Sequence, residues 1–192
     1  MVNNLIITQA RVGSKRLPSK VLMDINGQSL LELHLKRLKE SKNSNGIVLA
    51  TTFEKDSSEI IKIGKKINVS IFQGDTNNVL DRFYKVSIKF KPNYIVRVTS
   101  DCPLIDSKII DELLEIAIRN KLDYVSNILI DSYPDGQDVE VISYNTLEKC
   151  FHEASLKSDK EHVTPYIRRN SSFNGGAFFS SMNLKSEKDY SK

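Results

Sequence analysis

"ITQARVGSKRLPSKVL", Ile7 to Leu22, is the stretch from which the fold is read. Four cations, Arg11, Lys15, Arg16 and Lys20, stand with Gly13 and Pro18 between two apolar runs. A short β-rich run leading through such a loop towards a helical pattern is the opening of a βαβ unit. In open α/β sheets ligands lie outside the carboxyl ends of the strands, and the first strand-to-helix loop is the usual phosphate holder. Four cations there would neutralise a polyphosphate, Gly13 would let the backbone approach it, and Ser14 would add a hydroxyl donor. Charge alone describes a solvated basic loop equally well. The loop is neither GxxxxGK(S/T) nor GxGxxG, so the P-loop and dinucleotide mechanisms do not apply.

The same alternation continues along the chain. Asn4–Thr8, Gly46–Thr51, Val69–Phe72, Tyr94–Val98 and Tyr124–Ser126 read as strands. Between them, helices are expected after Ser29 and after Asp56, over Val79–Phe90 and over Ser107–Arg119, the last capped by Asp106. Beyond Ser126 the pattern loosens. "DSYPDGQDVEVIS" predicts a turn and a short strand, followed by helices from Asn145 and over Ser158–Arg169 and one more strand-like run. With no linker and no repeat, residues 1–192 are expected to form one α/β domain around a mostly parallel sheet.

A composition 40% hydrophobic and 27% charged excludes disordered, collagenous and membrane classes. The net charge of +4 suits anionic ligands and is too mild for a dedicated nucleic-acid surface, so no nucleic-acid partner is expected. Cys102 and Cys150 have neither CxxC spacing nor a neighbouring histidine, which fits reduced thiols. No signal peptide and no apolar run of about 18 residues appears, so a cytoplasmic protein without membrane attachment is expected.

"AR..S.RLP.K", Ala10 to Lys20, resembles the nucleotide-binding loop of the sugar-acid cytidylyltransferases, which make CMP-activated Kdo and nonulosonic acids. "VLATT" (Val48–Thr52), "FQGDTNNVLDRFYK" (Phe72–Lys85), "VRVTSDCPLID" (Val96–Asp106), "DGQDVEV" (Asp135–Val141) and "SDKEHVTPYIR" (Ser158–Arg168) continue the likeness in order. The combination is similar to the spore-coat polysaccharide branch of that family. It implies a three-layer, Rossmann-like nucleotide-diphospho-sugar transferase fold. It also implies a Mg²⁺-dependent transfer of CMP from CTP to a sugar acceptor, with release of pyrophosphate. Competing readings are a nucleotidyltransferase using another nucleotide or a sugar phosphate, and a non-catalytic nucleotide-binding relative.

By motif match, Arg11 and Lys20 would hold the triphosphate with Ser14 and Arg16 as helpers, and Asp101 would bind Mg²⁺. The resemblance places base and ribose against the first-strand end at Thr8, Gln9 and Ala10, against Ala50 and Thr51, and against Gln73, Gly74, Asp75, Asp81 and Arg82. Asp138 and Glu140 alternate around Val139, so on a strand both carboxylates face one way, towards an acceptor or towards solvent. Glu161 and His162 would orient the acceptor or make a subunit contact. Arg168 and Arg169 would bind a sugar carboxylate or complement a helix end. Cys102 reads as a small packing residue. Members of the family commonly dimerise, and the segment around Ile128–Val141 is the expected interface. They usually continue into a "VD.PED"-like segment carrying a second Mg²⁺ ligand, whereas this sequence ends "SEKDYSK", and Asp189 lacks that context.

Overall fold

The computed structural model describes residues 3–13 and 17–192, so Ser14, Lys15 and Arg16 lie outside the described residues. Four parallel strands form the centre of the sheet: β1 (Asn4–Gln9), β4 (Gly46–Thr52), β5 (Ser70–Gly74) and β6 (Tyr94–Thr99). Two short strands, β2 (Asp24–Ile25) and β3 (Gln28–Ser29), form a separate hairpin turned by Asn26 and Gly27, both at positive φ. That Asn-Gly pair is a hairpin signal that the sequence reading left unused.

Three further strands, β7 (Tyr124–Ser126), β8 (Glu140–Ser143) and β9 (Ser181–Asn183), complete a seven-stranded sheet ordered β5-β4-β1-β6-β8-β7-β9. β8 alone runs against its neighbours β6 and β7. The order steps outward from β1 in both directions, and the crevice left by that reversal opens between the carboxyl ends of β1 and β6.

Helices cover both faces. On one side α1 (Leu30–Leu38), α2 (Ser57–Ile67) and α4 (Ser107–Asn120) bury Leu31, Leu35, Ile60, Ile110 and Leu113 against Ile6, Leu49, Val96 and Val141. On the other, α3 (Val79–Phe90), α5 (Tyr144–Glu153) and α7 (Pro165–Arg169) bury Leu80, Phe83, Leu147 and Ile167 against Ile7, Val48, Ile95 and Ile142. Successive strand residues therefore serve opposite layers, as the pleat requires. The helix starts follow local chemistry. Ser29 accepts from the Glu32 amide, Asn78 from that of Asp81, and Asp106 from that of Lys108.

The helix expected over Ser158–Arg169 is two helices, α6 (Lys157–His162) and α7, separated at Val163, whose φ is 71°. Pro165 explains the break: within one helix it would lack a donor and its ring would strike the carbonyl four residues back. At the first position of α7 the same proline is well placed.

Candidate active site

Outside the carboxyl ends of β1 and β6 lies a cleft of about 430 Å³. A shallower hollow of about 530 Å³, lined by Ile88, Pro92, Tyr94 and Tyr144, sits at the opposite end of β6. Only the first lies where α/β sheets take ligands, and it collects the expected charged residues. Gln9, Ala10 and Arg11 enter it from β1, Lys20 from the turn that follows the basic loop, and Thr99 and Asp101 from β6. Its far wall is built by Thr76, Asn77 and Arg82 at the start of α3 and by Lys157, Glu161 and His162 of α6.

Lys20 and Asp101, 81 residues apart in sequence, meet with Nζ donating to Oδ2 at 3.1 Å. Desolvation alone would raise the Asp101 carboxyl, but the hydrogen bond and charge of Lys20, with the Thr99 hydroxyl, hold it below its ordinary value. Arg82 carries the opposite problem. It is 2% exposed, with Nη1 donating to the carbonyl oxygens of Asp75 and Thr76 and Nε unpartnered. Burial, and then the neighbouring charge of Arg11, depress its pKa. Among the described residues neither arginine is in a salt bridge. Asp75, Asp81 and Glu54 offset part of the Arg82 charge, and two guanidinium groups outside any salt bridge among the described residues give the cleft a cationic wall suited to an anion.

Arg97 is a third guanidinium on the wall, and sequence reasoning missed it because it sits mid-strand between Val96 and Val98. It is held from below by Glu140, 1% exposed, which also accepts from the Tyr124 hydroxyl at 2.6 Å. Glu140 is thus placed beneath the cleft rather than on its wall. Asp138, two residues before β8 begins, is exposed. Partial desolvation and the carboxylates of Asp135, Glu140 and Asp131 raise its pKa.

The base-side residues are also brought near one another. The Ala10 amide donates to the Ala50 carbonyl at 3.0 Å, and Thr51 is fully buried beside them in sequence with its hydroxyl unpartnered. Gln9 Oε1 is likewise buried without a partner. Asp75 is spent on a turn, accepting from the amides of Asn77 and Asn78 at 2.7 and 2.8 Å. Gly74 leaves room for Arg82: a Cβ there would stand 2.7 Å from Arg82 Cγ. Asp81 pairs with Lys85 at 2.8 Å. Gly13 is exposed, and a Cβ there would meet no atom of the described residues within 4 Å.

Two other expected residues serve the scaffold. Arg169 grips the buried Asp159 with two bonds of 2.9 Å. The half-buried Cys102 thiol meets the Thr99 hydroxyl at 3.2 Å, and burial raises its pKa. His34 is a second residue that sequence reasoning missed. It is fully buried, with Nε2 2.9 Å from Thr8 Oγ1 and Nδ1 2.9 Å from the Cys102 carbonyl oxygen. Burial pulls its pKa down to about 4, against smaller upward effects from that bond and from Asp101.

No group of three or more His, Cys, Asp and Glu side chains among the described residues is arranged to hold a metal. A single carboxylate still fits Mg²⁺, which commonly binds through one or two carboxylates plus substrate phosphates. Asp101, just beyond the carboxyl end of β6 and on the same cleft as Arg11, Arg82 and Arg97, is a carboxylate of that kind. No helix of the described residues is long and apolar enough to cross a membrane.

Comparison with known proteins identifies the family. The chain is 42% identical over 166 residues to the uncharacterized protein MJ1063 of Methanocaldococcus jannaschii, covering 85% of this chain and 66% of that protein. It is 35% identical over 170 residues to the spore coat polysaccharide biosynthesis protein SpsF of Bacillus subtilis, covering 85% and 69%. The matches thus span about two thirds of the length of these relatives. A solved cytidylyltransferase from Leptospira borgpetersenii serovar Hardjo-bovis superposes with a TM-score of 0.89 at 32% identity, over 99% of this chain and 78% of that one. A family model described as Cytidylyltransferase matches residues 5–189, and the chain belongs to that family.

Proposed function

We propose that this protein transfers a cytidylyl group from CTP to a hydroxyl of a sugar acceptor, a sugar acid by its motif resemblance, for surface polysaccharide synthesis. One observation carries the reading: Lys20 and Asp101 meet at the strand-order reversal, in a cleft where Arg11 and Arg82 form no salt bridge among the described residues.

In this reading the acceptor oxygen bonds to the α-phosphorus of CTP. The bond from that phosphorus to the bridging oxygen breaks, pyrophosphate leaves with its electron pair, and the hydroxyl proton is released. Arg11 and Lys20 hold the triphosphate and offset the charge that builds on it. Arg82 keeps the turn at Asp75 and Thr76 against the nucleotide, while Gln9, Ala10 and Thr51 face the base and ribose. Asp101 would hold Mg²⁺, which when bound supplies charge neutralisation of the phosphates. Arg97, His162 and the nearby Asp138 flank the acceptor side, with Glu140 holding Arg97 in place.

The test is a thermal-shift series with Mg²⁺ and each of CTP, UTP, ATP and GTP. A ligand at 100 times its Kd stabilises by about 2.7 kcal/mol. A rise confined to CTP, followed by pyrophosphate release with a sugar acid, is expected. No rise with any nucleotide would overturn the reading.

A further inference from the structure

We propose that His34 is a positioning residue for Asp101, tying the loop that follows β6 to the end of β1 through its two ring nitrogens. The inference rests on the reading of Asp101 as the residue that meets Mg²⁺ and nucleotide. Asp101 lies in a turn between Thr99 and Ser107, and the part of that loop furthest from it has its own supports. The Gln137 side chain donates to the Leu104 carbonyl and accepts from the Asp106 amide, and Arg37 reaches the Ile105 carbonyl at 3.5 Å. Next to Asp101 the backbone is held differently. The Cys102 carbonyl takes a 2.9 Å bond from His34 and a weaker contact of 3.4 Å from the Ile105 amide.

The chemistry of the partners sets the ring's form. A carbonyl oxygen only accepts, so Nδ1 carries the hydrogen, and Nε2 of the neutral ring accepts from the Thr8 hydroxyl. Thr8 belongs to β1, whose next residues, Gln9 to Arg11, form the nucleotide side of the cleft. One fully buried ring therefore fixes the spacing between the strand that leads into the basic loop and the loop that carries the carboxylate. Lys20 spans the same gap from outside, but it is 40% exposed and flexible, and its ammonium is needed for phosphate. Groups behind a metal ligand commonly change metal affinity about 10–100-fold when removed.

Two substitutions separate the two bonds. Asparagine carries its amide nitrogen, a donor, where histidine carries Nδ1, and the longer glutamine brings its amide to the place of Nε2, where its oxygen can accept from the Thr8 hydroxyl. His34→Asn keeps a donor for Cys102 and gives up Thr8, whereas His34→Gln keeps Thr8 and gives up Cys102. CTP affinity is measured by calorimetry across a Mg²⁺ series for wild type and both variants, with melting temperatures alongside. Both variants are expected to melt below wild type. The Mg²⁺ concentration for half-maximal CTP affinity is expected to rise about tenfold or more in His34→Gln and to stay near wild type in His34→Asn. Equal shifts in both, or none in His34→Gln, would overturn the proposal. Wild type without Mg²⁺-dependent CTP binding would instead remove the functional reading beneath it. Should neither variant fold, ¹⁵N chemical shifts of the wild-type ring decide: an Nδ1–H tautomer is required, and an Nε2–H ring overturns the proposal.

Discussion

Replacing Glu140 by alanine tests whether the floor of the cleft is an electrostatic support. The carboxylate is 1% exposed and meets the Arg97 guanidinium and the Tyr124 hydroxyl. Removing one partner of a buried ion pair costs about 3–5 kcal/mol, because the charge left behind has lost its compensation. The Arg97 side chain is 14% exposed and opens onto the cleft, where water reaches it, so about 3 kcal/mol is the appropriate end of that range. The stranded Tyr124 hydroxyl, in a fully buried ring, adds about 1 kcal/mol. For a chain of this size the sum is a fall in Tm of about 8–16 °C. With no tryptophan in the sequence, far-UV circular dichroism during urea unfolding is the suitable assay. Combining Arg97→Met with Glu140→Leu removes both charges together and should recover most of the loss. A Glu140→Ala cost below about 1 kcal/mol, or a double variant as unstable as the single one, would refute the reasoning.

Three further outcomes are expected. Arg11→Ala should weaken CTP binding at least about tenfold with an unchanged melting temperature, since the side chain is exposed and in no salt bridge among the described residues. Unchanged affinity by calorimetry would dismiss the loop assignment. Gly74→Ala drives a Cβ to 2.7 Å from Arg82 Cγ and should cost about 1–3 kcal/mol while also weakening CTP, because Arg82 holds the neighbouring turn. Full stability and full binding would show that the arginine moves aside freely. Burial lowers His34 from 6.5 to about 4, so as pH falls the unfolded chain takes up that proton first. Its contribution is complete above about pH 6.5 and is lost, by about 3 kcal/mol in all, as pH falls to about 4. Urea midpoints from pH 7 to 4.5 should show that slope in wild type and lose it in His34→Gln, and parallel curves would contradict it.

Much of this protein is legible in its sequence because the signals are local. Short, near-continuous apolar runs mark β1, β4, β5 and β6, and the Ser29 and Asp106 caps mark the starts of α1 and α4, because backbone geometry and capping depend on near neighbours. The basic loop from Arg11 to Lys20 is equally visible, as density of charge on a chain segment needs no fold to be seen. Tertiary structure alone decides which of those residues meet. The Lys20–Asp101 contact joins positions 81 apart, and the His34 bond to Cys102 joins positions 68 apart. Arg97 could not be singled out as a wall of the cleft until β6 was paired with β1 and β8. A charged residue within a strand becomes functional or merely exposed according to the layer its side chain enters, and here Glu140 and Tyr124 make that layer habitable for a guanidinium. Asp138 and Glu140, alike on an extended strand, part company for the same reason. One remains in solvent while the other falls where β8 packs between β6 and β7, and the free energy of a carboxylate depends on that burial far more than on its place in the sequence.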